Sequence, residues 1–343
     1  MKQISAIGLD LAKHVFQVHG IDEGGDVVVR KRLRRSDVVE FFAKLAPCTV
    51  GIEASASAHY WAREIGTLGH AVKLMPPAYV KAYVKRGKND ASDAEAICEA
   101  VQRPTMRFVP VKSAAQQASG MIYKVRELLV RQRAQATNAF RSHLSELGIV
   151  AAQGRSKLAE LFAMVRDTND APLPAAARAV LEELAGQIEA LSMRIERLDE
   201  TIVAQVRSSE AGRRLTSIPG VGPITAGALL AMVPDPGSFR SARHFATWLG
   251  FAPRQKSSGG KPRLGSISKQ GNRYLRGLLI LGAANVLRFT RKNAVSAWLA
   301  ALRERRPFKV AAVALAHKMA RIVWALMVKG GVYRAAPSAV ATS

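Results

Sequence analysis

IGLDLAKHVFQVHGID, residues 7–22, places two short apolar runs on either side of a turn, and the valines 27–29 follow a second turn. Such runs predict a β-meander. The segment CTVGIE at 48–53 predicts a buried strand of the kind found in parallel sheets, and 71–75 predicts another. Helical patterns at 37–45 and 59–68 precede these two strands, so residues 1–112 are predicted to form an α/β domain.

The rest of the chain is predicted to be mainly helical. Residues 113–208 carry leucine and isoleucine at steps of three and four, a coiled-coil pattern that is interrupted at 148–155 and 167–174. This pattern indicates an arm of two long helices with a variable tip, serving either as a spacer or for dimerisation. Residues 209–335 indicate a helical domain punctuated by glycine and proline, and residues 336–343 a disordered tail.

The charge of the chain is strongly positive and unevenly distributed. The formal net charge is +25, and residues 236–343 contain 20 of the 51 lysines and arginines but only one of the 26 carboxylates, Glu304. A stretch of one sign would repel itself without a counter-ion, which favours nucleic acid as the partner. We therefore predict that residues 236–343, the cationic footprint of the chain, contact the nucleic acid.

The cellular compartment can also be predicted from composition. Cys48 and Cys98 are the only cysteines and lie in segments that resemble buried ones, which favours a reducing compartment over a disulfide framework. Asp10 interrupts the first apolar run, so the start does not resemble a signal peptide. The longest apolar run, 277–287, is too short to cross a bilayer. A cytoplasmic protein without a membrane partner is expected.

Four carboxylates occur where strands and a helix are predicted to meet. Asp10 lies within the apolar run of the first strand, Glu53 ends the buried strand TVGIE, and Asp90 and Asp93 are three apart at the start of a predicted helix. If they converge, divalent cations would relieve their repulsion, and magnesium or manganese suits phosphate chemistry. Singly, each could be a turn residue or a helix cap, as Asp90 could be.

The order strand-Asp, strand-Glu, helix-Asp-x-x-Asp resembles the RuvC-like, RNase H-type nuclease fold. Sugar-kinase-like and actin-like ATPases share that fold but need glycine-rich phosphate loops. No such loop follows Asp10. The resemblance therefore favours a nuclease-type domain.

Residues 215–231, LTSIPGVGPITAGALLA, place Gly220 and Gly222 between two apolar helical segments. This pattern resembles a helix-hairpin-helix, in which backbone N–H groups of a tight turn approach a DNA phosphate. An ordinary αα-hairpin is the alternative.

A basic loop follows, in which glycines and hydroxyls alternate with cations. The predicted nucleic-acid-binding cations are Arg254, Lys256, Lys261, Arg263, Lys269, Arg273 and Arg276. A serine among cations can attack a phosphate, because the cations stabilise the charge that develops. Chemistry alone leaves Ser257, Ser258, Ser266 and Ser268 open, and the loop could equally be a non-catalytic phosphate clamp.

Five segments together resemble the IS110 family of insertion-sequence transposases, in its IS1111 branch, which is related to the Piv DNA invertase. They are IGLDLAKHVFQVHGID, IEASASAHYWARE, KNDASDAEAICEAVQRP, LTSIPGVGPITAGALLA and GFAPRQKSSGGKPRLGSISKQGNRYLR. The resemblance runs in order from about residue 4 to 330.

This resemblance implies a RuvC-like domain with a DEDD tetrad, a coiled-coil arm and a transposase domain with a catalytic serine. Matched by motif, the tetrad is Asp10, Glu53, Asp90 and Asp93, and the serine before the first glycine of the loop is Ser258. The resemblance also implies a homo-oligomer, a dimer or tetramer, that recombines DNA under the direction of a non-coding bridge RNA.

Two other functions remain open from the residues. One is a metal-dependent Holliday-junction-type nuclease, in which water attacks and the serine loop only binds phosphate. The other is a non-enzymatic helix-hairpin-helix protein that binds nucleic acid and needs no metal. A covalent protein–DNA adduct distinguishes the recombinase from both.

Overall fold

The protein is described here as a computed structural model, which covers residues 3–84, 90–167, 173–233, 235–255, 263–290 and 297–334. The chain divides into two compact units, Met1–Ala118 and Ser119–Ser343. The predicted disordered tail, 336–343, lies outside the described residues.

The first unit is a mixed α/β domain, as predicted. Its strands are β1 (Ala6–Asp10), β2 (Val15–Ile21), β3 (Val27–Arg34), β4 (Thr49–Glu53) and β5 (Ala71–Met75). Its helices are α1 (Val38–Ala43), α2 (Ala58–Thr67), α3 (Pro77–Val80) and α4 (Asp90–Val101). The sheet order is β3-β2-β1-β4-β5, with an antiparallel meander β1–β2–β3 and parallel pairs β1–β4 and β4–β5.

The two faces of this sheet are covered by different helices. Ile7, Leu9 and Ile52 point into an apolar core that includes Phe42 of α1 and Trp61 of α2. The opposite face is covered by α4, which packs on β1, β2 and β4. Alternation along each strand therefore decides which helix a side chain meets.

Both cysteines are buried and free, as the sequence predicted. Burial raises the pKa of each thiol to about 11. Both thiols are therefore protonated near neutral pH and are poor nucleophiles there.

The first unit extends six residues beyond the predicted boundary at 112. Arg63 of α2 donates from Nη1 to the carbonyl oxygen of Lys112 at 2.6 Å and to Oε1 of Gln117 at 2.7 Å. The Lys112 N–H donates to Nδ1 of His59 at 3.2 Å. These bonds hold the segment that leads into the next helix against α2.

The predicted arm contains the two long helices that the sequence indicated, α5 (Ala114–Glu146) and α7 (Ala175–Ser208), with a shorter helix, α6 (Arg155–Arg166), between them. The breaks fall where the sequence predicted them. The short helix α6 contributes Leu161, Phe162 and Val165 to a small core with α5 and α7. Arg126 of α5 forms a two-pronged ion pair with Asp199 of α7.

The remaining elements are mainly helical but include a β-hairpin that the sequence did not predict. They are α8 (Glu210–Thr216), α9 (Pro223–Met232), α10 (Ala242–Trp248), β6 (Pro253–Gln255), β7 (Leu264–Ile267), α11 (Arg273–Phe289), α12 (Ala297–Arg305) and α13 (Phe308–Lys329). Ile202 and Val206 of α7 share one core with α9, α11 and α13. Contacts therefore group the arm with the C-terminal region.

One helix of the described residues, α13, is long and apolar enough to cross a membrane by length and composition. Its residues Ala312, Ala316, Met319 and Val323 are buried in the core of the second unit. The apolar residues of α13 therefore form part of the core of the second unit.

Candidate active site

Asp10 and Glu53 end two neighbouring strands. Asp10 is the last residue of β1 rather than a residue in its middle, and Glu53 is the last residue of β4. The two strands are parallel, and Leu9 of β1 pairs with Ile52 of β4. Asp10 and Glu53 are the next residues of the two strands, so the two carboxylates lie side by side. Both side chains are partly buried. The carboxyl ends of parallel strands are a common place for a functional crevice.

Both carboxylates project from the face that α4 covers. A methyl group added at Gly8 would lie 2.1 Å from the Ala94 carbonyl oxygen, and one at Gly51 would lie 2.8 Å from Cβ of Val101. Since side chains two apart on a strand share a face, Asp10 follows Gly8 and Glu53 follows Gly51 onto this face. The two glycines allow α4 to approach the sheet closely.

The first turn of α4 lies toward the carboxylate end of β1. Cys98 donates its thiol to the Ala6 carbonyl oxygen at 3.7 Å, whereas Ala94 lies against Gly8. The helix therefore runs back along β1 as its residue numbers rise. Its beginning, Asp90 and the partly buried Asp93, is on the side where β1 ends at Asp10.

Three of the four predicted tetrad side chains can be placed in this way. The backbone of Asp90 begins α4, but its side chain lies outside the described part of the structure. Within the described side chains, no three of His, Cys, Asp and Glu are close enough to hold a metal ion. Asp10 and Glu53 supply a pair of carboxylates at the carboxyl ends of β1 and β4. Carboxylate oxygens are the kind of ligand that a divalent cation such as magnesium prefers.

The predicted serine loop connects the two strands of the β-hairpin. β6 and β7 are antiparallel, with Pro253 opposite Ile267 and Gln255 opposite Leu264. The connection contains Lys256, Ser257, Ser258 and Lys261, all of which lie outside the described residues.

The flanking cations and serines of this hairpin are described. Arg254 and Arg263 are exposed beside the loop, and Arg254 donates from Nη2 to the Ser268 carbonyl oxygen at 3.2 Å. Ser266 is exposed on β7, and Oγ of Ser268 accepts from the Gln270 N–H at 3.4 Å. Ser268 is thus engaged in the turn that follows the hairpin.

Arg276, one of the predicted nucleic-acid-binding cations, is buried. Only 7% of it is exposed, and its Nη1 donates at 2.9 Å to the carbonyl oxygens of both Leu249 and Gln270. Burial and the nearby Arg273 lower the pKa of this guanidinium. Arg276 therefore ties together the two segments at the base of the hairpin. Arg273 and Lys269 remain exposed.

Gly220 and Gly222 lie in the turn between α8 and α9 but have different surroundings. Gly220 has a φ of +84°, and a methyl group there would lie 2.7 Å from the Gly282 carbonyl oxygen of α11. Gly222 is exposed, and an added methyl group would meet nothing within 4 Å. The first glycine is therefore required by the packing of the turn, whereas the second is open to a partner.

Sequence reasoning missed the glycines that position these elements, namely Gly8, Gly51 and Gly282. A glycine inside a strand pattern, as in IGLD and VGIE, is a recognisable signal of close backbone approach. Gly282 lies within an apolar helix and carries no comparable signal, because only the fold brings it against Gly220.

A mixed sheet with carboxylates at adjacent strand ends, joined to a mainly helical unit, fits a DEDD-type transposase, and comparison with known proteins shows this class. A DEDD transposase family model, described as "Transposase", matches residues 7–149, and the model "Transposase IS116/IS110/IS902 family" matches residues 212–298. The chain belongs to the IS116/IS110/IS902 family of transposases.

Curated relatives agree with this membership. The chain is 51% identical over 334 residues to a "Probable family 20 transposase" of Pseudomonas aeruginosa, covering 96% of this chain and 99% of the relative. It is 39% identical over 336 residues to the "Transposase for insertion sequence element IS1111A" of Coxiella burnetii, covering 97% and 92%. The "Pilin gene-inverting protein" of Moraxella lacunata is a distant relative, 31% identical over 115 residues and covering 33% and 35%.

Membership of this family implies DNA as the substrate and DNA cleavage and rejoining as the activity. The DEDD domain also suggests dependence on a divalent metal ion.

Proposed function

We propose that this transposase cleaves and rejoins DNA through a covalent phosphoserine at Ser258, assisted by magnesium or manganese held by Asp10, Glu53, Asp90 and Asp93. The observation that carries the metal site is the placement of Asp10 and Glu53 at adjacent strand ends on the face that α4 covers. The serine is carried by its motif in a cation-rich hairpin connection.

The tetrad residues would hold a divalent ion through carboxylate oxygens. When bound, such an ion supplies positive charge that polarises the phosphate and stabilises the leaving oxygen. The carboxylates themselves fix the position of the scissile phosphate relative to the sheet. The partial burial of Asp10, Glu53 and Asp93 limits competition from water for their oxygens.

In the cleavage step, Oγ of Ser258 forms a bond to phosphorus, and the bond from phosphorus to the leaving deoxyribose oxygen breaks. The hydroxyl proton passes to solvent, and a proton from solvent neutralises the released alkoxide. The reverse reaction with another strand end restores the serine and a phosphodiester. Arg254, exposed on β6, and Arg263, exposed immediately before β7, are suited to stabilise the negative charge that develops.

Trapping the covalent intermediate tests this proposal. A suicide DNA substrate that loses its leaving strand should accumulate an adduct that resists denaturation, and mass spectrometry should locate it on Ser258. Ser258→Ala should bind the same DNA without forming the adduct, whereas the neighbouring Ser257→Ala retains most activity. An adduct on Ser257, Ser266 or Ser268 would overturn the assignment, and clean nicking by Ser258→Ala would favour the water-attacking nuclease.

We also propose that a non-coding bridge RNA guides the reaction, by resemblance to the family. Residues 236–343, with their single carboxylate, offer a cationic surface on which a nucleic acid could lie. The exposed Gly222 at the start of α9 supports backbone contact to a phosphate there. Sequencing the RNA that copurifies with the protein should return one species encoded by the element; recovery of bulk cellular RNA alone would contradict guidance.

A homo-oligomer, dimer or tetramer, is proposed for the active assembly. Met121, Val125 and Leu128 form an exposed apolar stripe along α5, at the i, i+4 and i+7 positions that suit a helix–helix contact. Light scattering should give a multiple of the 37.0 kDa chain mass. Val125→Glu with Leu128→Glu should yield a monomer, and a wild-type monomer at micromolar concentration would contradict the proposal.

A further inference from the structure

The edge strand β3 carries three arginines on one face. Arg30, Arg32 and Arg34 alternate with Lys31 and Leu33, so the two sets point to opposite sides of the sheet. The three arginines are hereafter the arginine row. The strand lies at the edge of the sheet beside β2.

The register of the sheet places the arginine row on the carboxylate face. Asp10 pairs with Gln17 of β2, and Gln17 pairs with Arg32 of β3. Directly paired residues point to the same face, so Arg32 lies in one lateral row with Asp10. Two strand spacings separate the two backbones, about 10 Å. The side chain of Arg32 is long enough to reach toward a nucleic-acid strand whose phosphate is bound beside Asp10.

The opposite face is assigned independently by its own contacts. Leu33 is buried in the apolar core under α1 and α2. The Lys31 ammonium lies 5.6 Å from the centre of the Phe41 ring. Lys31 therefore accompanies this core, away from the carboxylates.

The arginine row is exposed and its charge is not neutralised within the described structure. The helix α4 packs on β1, β2 and β4, and all three arginines of β3 are exposed. Among the described ion pairs, none involves a residue of the arginine row. Three guanidinium groups on one open face are available to an anionic partner.

Protection of a sheet edge from aggregation is the competing explanation for charges on an edge strand. That role is served by charges on either face. It does not explain why the arginines occupy only the face that carries Asp10 and Glu53. Successive guanidiniums on this face are about 6.7 Å apart at their backbones, a periodic array suited to successive backbone phosphates.

We propose that Arg30, Arg32 and Arg34 bind the phosphodiester backbone of the DNA strand whose phosphate enters the Asp10–Glu53 site. This inference rests on the proposed function of that site. It adds a second nucleic-acid surface, in the first unit, to the cationic region 236–343. Arginine suits the role because its planar fork binds phosphate oxygens through two N–H groups.

Disulfide trapping tests the position of the strand. Both native cysteines are buried, so a cysteine introduced at Arg32 is the reactive thiol. The probe is a DNA duplex containing the element end, with an activated mixed disulfide tethered to one backbone phosphate at a time near the cleavage site. Thiolate attack forms the protein–DNA disulfide and releases the small leaving thiol.

Arg32→Cys should trap the duplex at one or two adjacent phosphates with at least tenfold higher yield than Lys31→Cys, the control on the opposite face. The experiment is done in EDTA, so trapping does not depend on cleavage. Equal yields from the two variants, or preferential trapping of single-stranded RNA carrying the same tethers, would overturn the inference. Cleavage is assayed separately with metal present. If Ser258→Ala cleaves as well as wild type while Arg32→Cys still traps the duplex, the phosphoserine mechanism is refuted but the inference about the arginine row is supported.

A salt titration supplies a second readout without cysteines. On duplex DNA each phosphate contact contributes about 0.9 to the slope of log affinity against log salt. Arg32→Gln should therefore lower the slope by about 0.9 and weaken binding at every sequence. Lys31→Gln should leave the slope unchanged, and an equal fall for both variants would contradict the assignment.

Discussion

Replacing Gly8 with alanine should disable the carboxylate site without removing any carboxylate. The new methyl group would lie 2.1 Å from the Ala94 carbonyl oxygen and 2.4 Å from the Cys98 nitrogen, whereas ordinary van der Waals contact is at 3.4–4 Å and real Cβ atoms essentially never come closer than 3.0 Å. The obstacles are backbone atoms of α4, so the whole helix must move by about 1 Å. Asp93 moves with it, relative to Asp10 and Glu53.

A misplacement of about 1 Å costs roughly 100-fold in rate when catalysis depends on position. Overpacking should also lower the free energy of unfolding by about 1–3 kcal/mol. The assays are cleavage of an element-end duplex under single-turnover conditions and urea denaturation followed by circular dichroism. DNA affinity should be nearly unchanged, because the exposed cations are untouched.

Gly66→Ala is the matched control, because Gly66 lies in α2 of the same unit and an added methyl group meets nothing within 4 Å. It should retain wild-type cleavage and equal or higher stability. Wild-type cleavage by a folded Gly8→Ala protein would refute the claim that close packing of α4 positions the site. Should Gly8→Ala unfold, Asp93→Asn tests instead whether the carboxylate that α4 carries is required for cleavage, because this change leaves the helix packing intact.

Three further outcomes are expected. Asp10→Asn and Asp93→Asn should bind DNA but not cleave it, as should wild type without divalent metal. Glu99→Gln is the control and should cleave normally, because Glu99 is exposed on α4 and paired with Arg103. Cleavage by either aspartate variant in a gel assay would contradict the assignment of the tetrad. Affinity for duplex DNA should fall steeply with salt, by about 0.9 per phosphate contact on logarithmic axes, and a flat titration would contradict the cationic footprint at 236–343. Gly282→Ala should destabilise the α8–α9 turn, because its methyl group would lie 1.9 Å from the Gly220 carbonyl oxygen, whereas Gly277→Ala on the same helix meets nothing and should raise the melting temperature.

The sequence predicted the strands of the first unit and the breaks in the arm well because their signals are local. The strand 71–75 and the breaks in the arm fall where apolar periodicity and glycine or proline placed them. The sheet order and the shared face of Asp10 and Glu53 depend on pairing between distant segments. Periodicity suggested convergence of the carboxylates, but only the register places them side by side.

The departures lie where tertiary contacts override local pattern. Residues 253–267 lack alternating apolar positions, so the exposed hairpin β6–β7 gave no strand signal. Arg276 resembled the other cations of its segment, yet the fold buries it against two carbonyl oxygens. The charge of a side chain is known from the sequence, whereas its burial depends on the packing of elements that are distant in the sequence.

The placement of the metal tests the central claim most directly. Crystals of the protein soaked in manganese and measured for anomalous scattering should show a peak between the carboxylates of Asp10 and Glu53, beside the first turn of α4. The peak should be absent in Asp10→Asn. A manganese peak elsewhere, with none at this sheet edge in a protein that cleaves DNA, would contradict the claim that this edge is the metal-dependent active site.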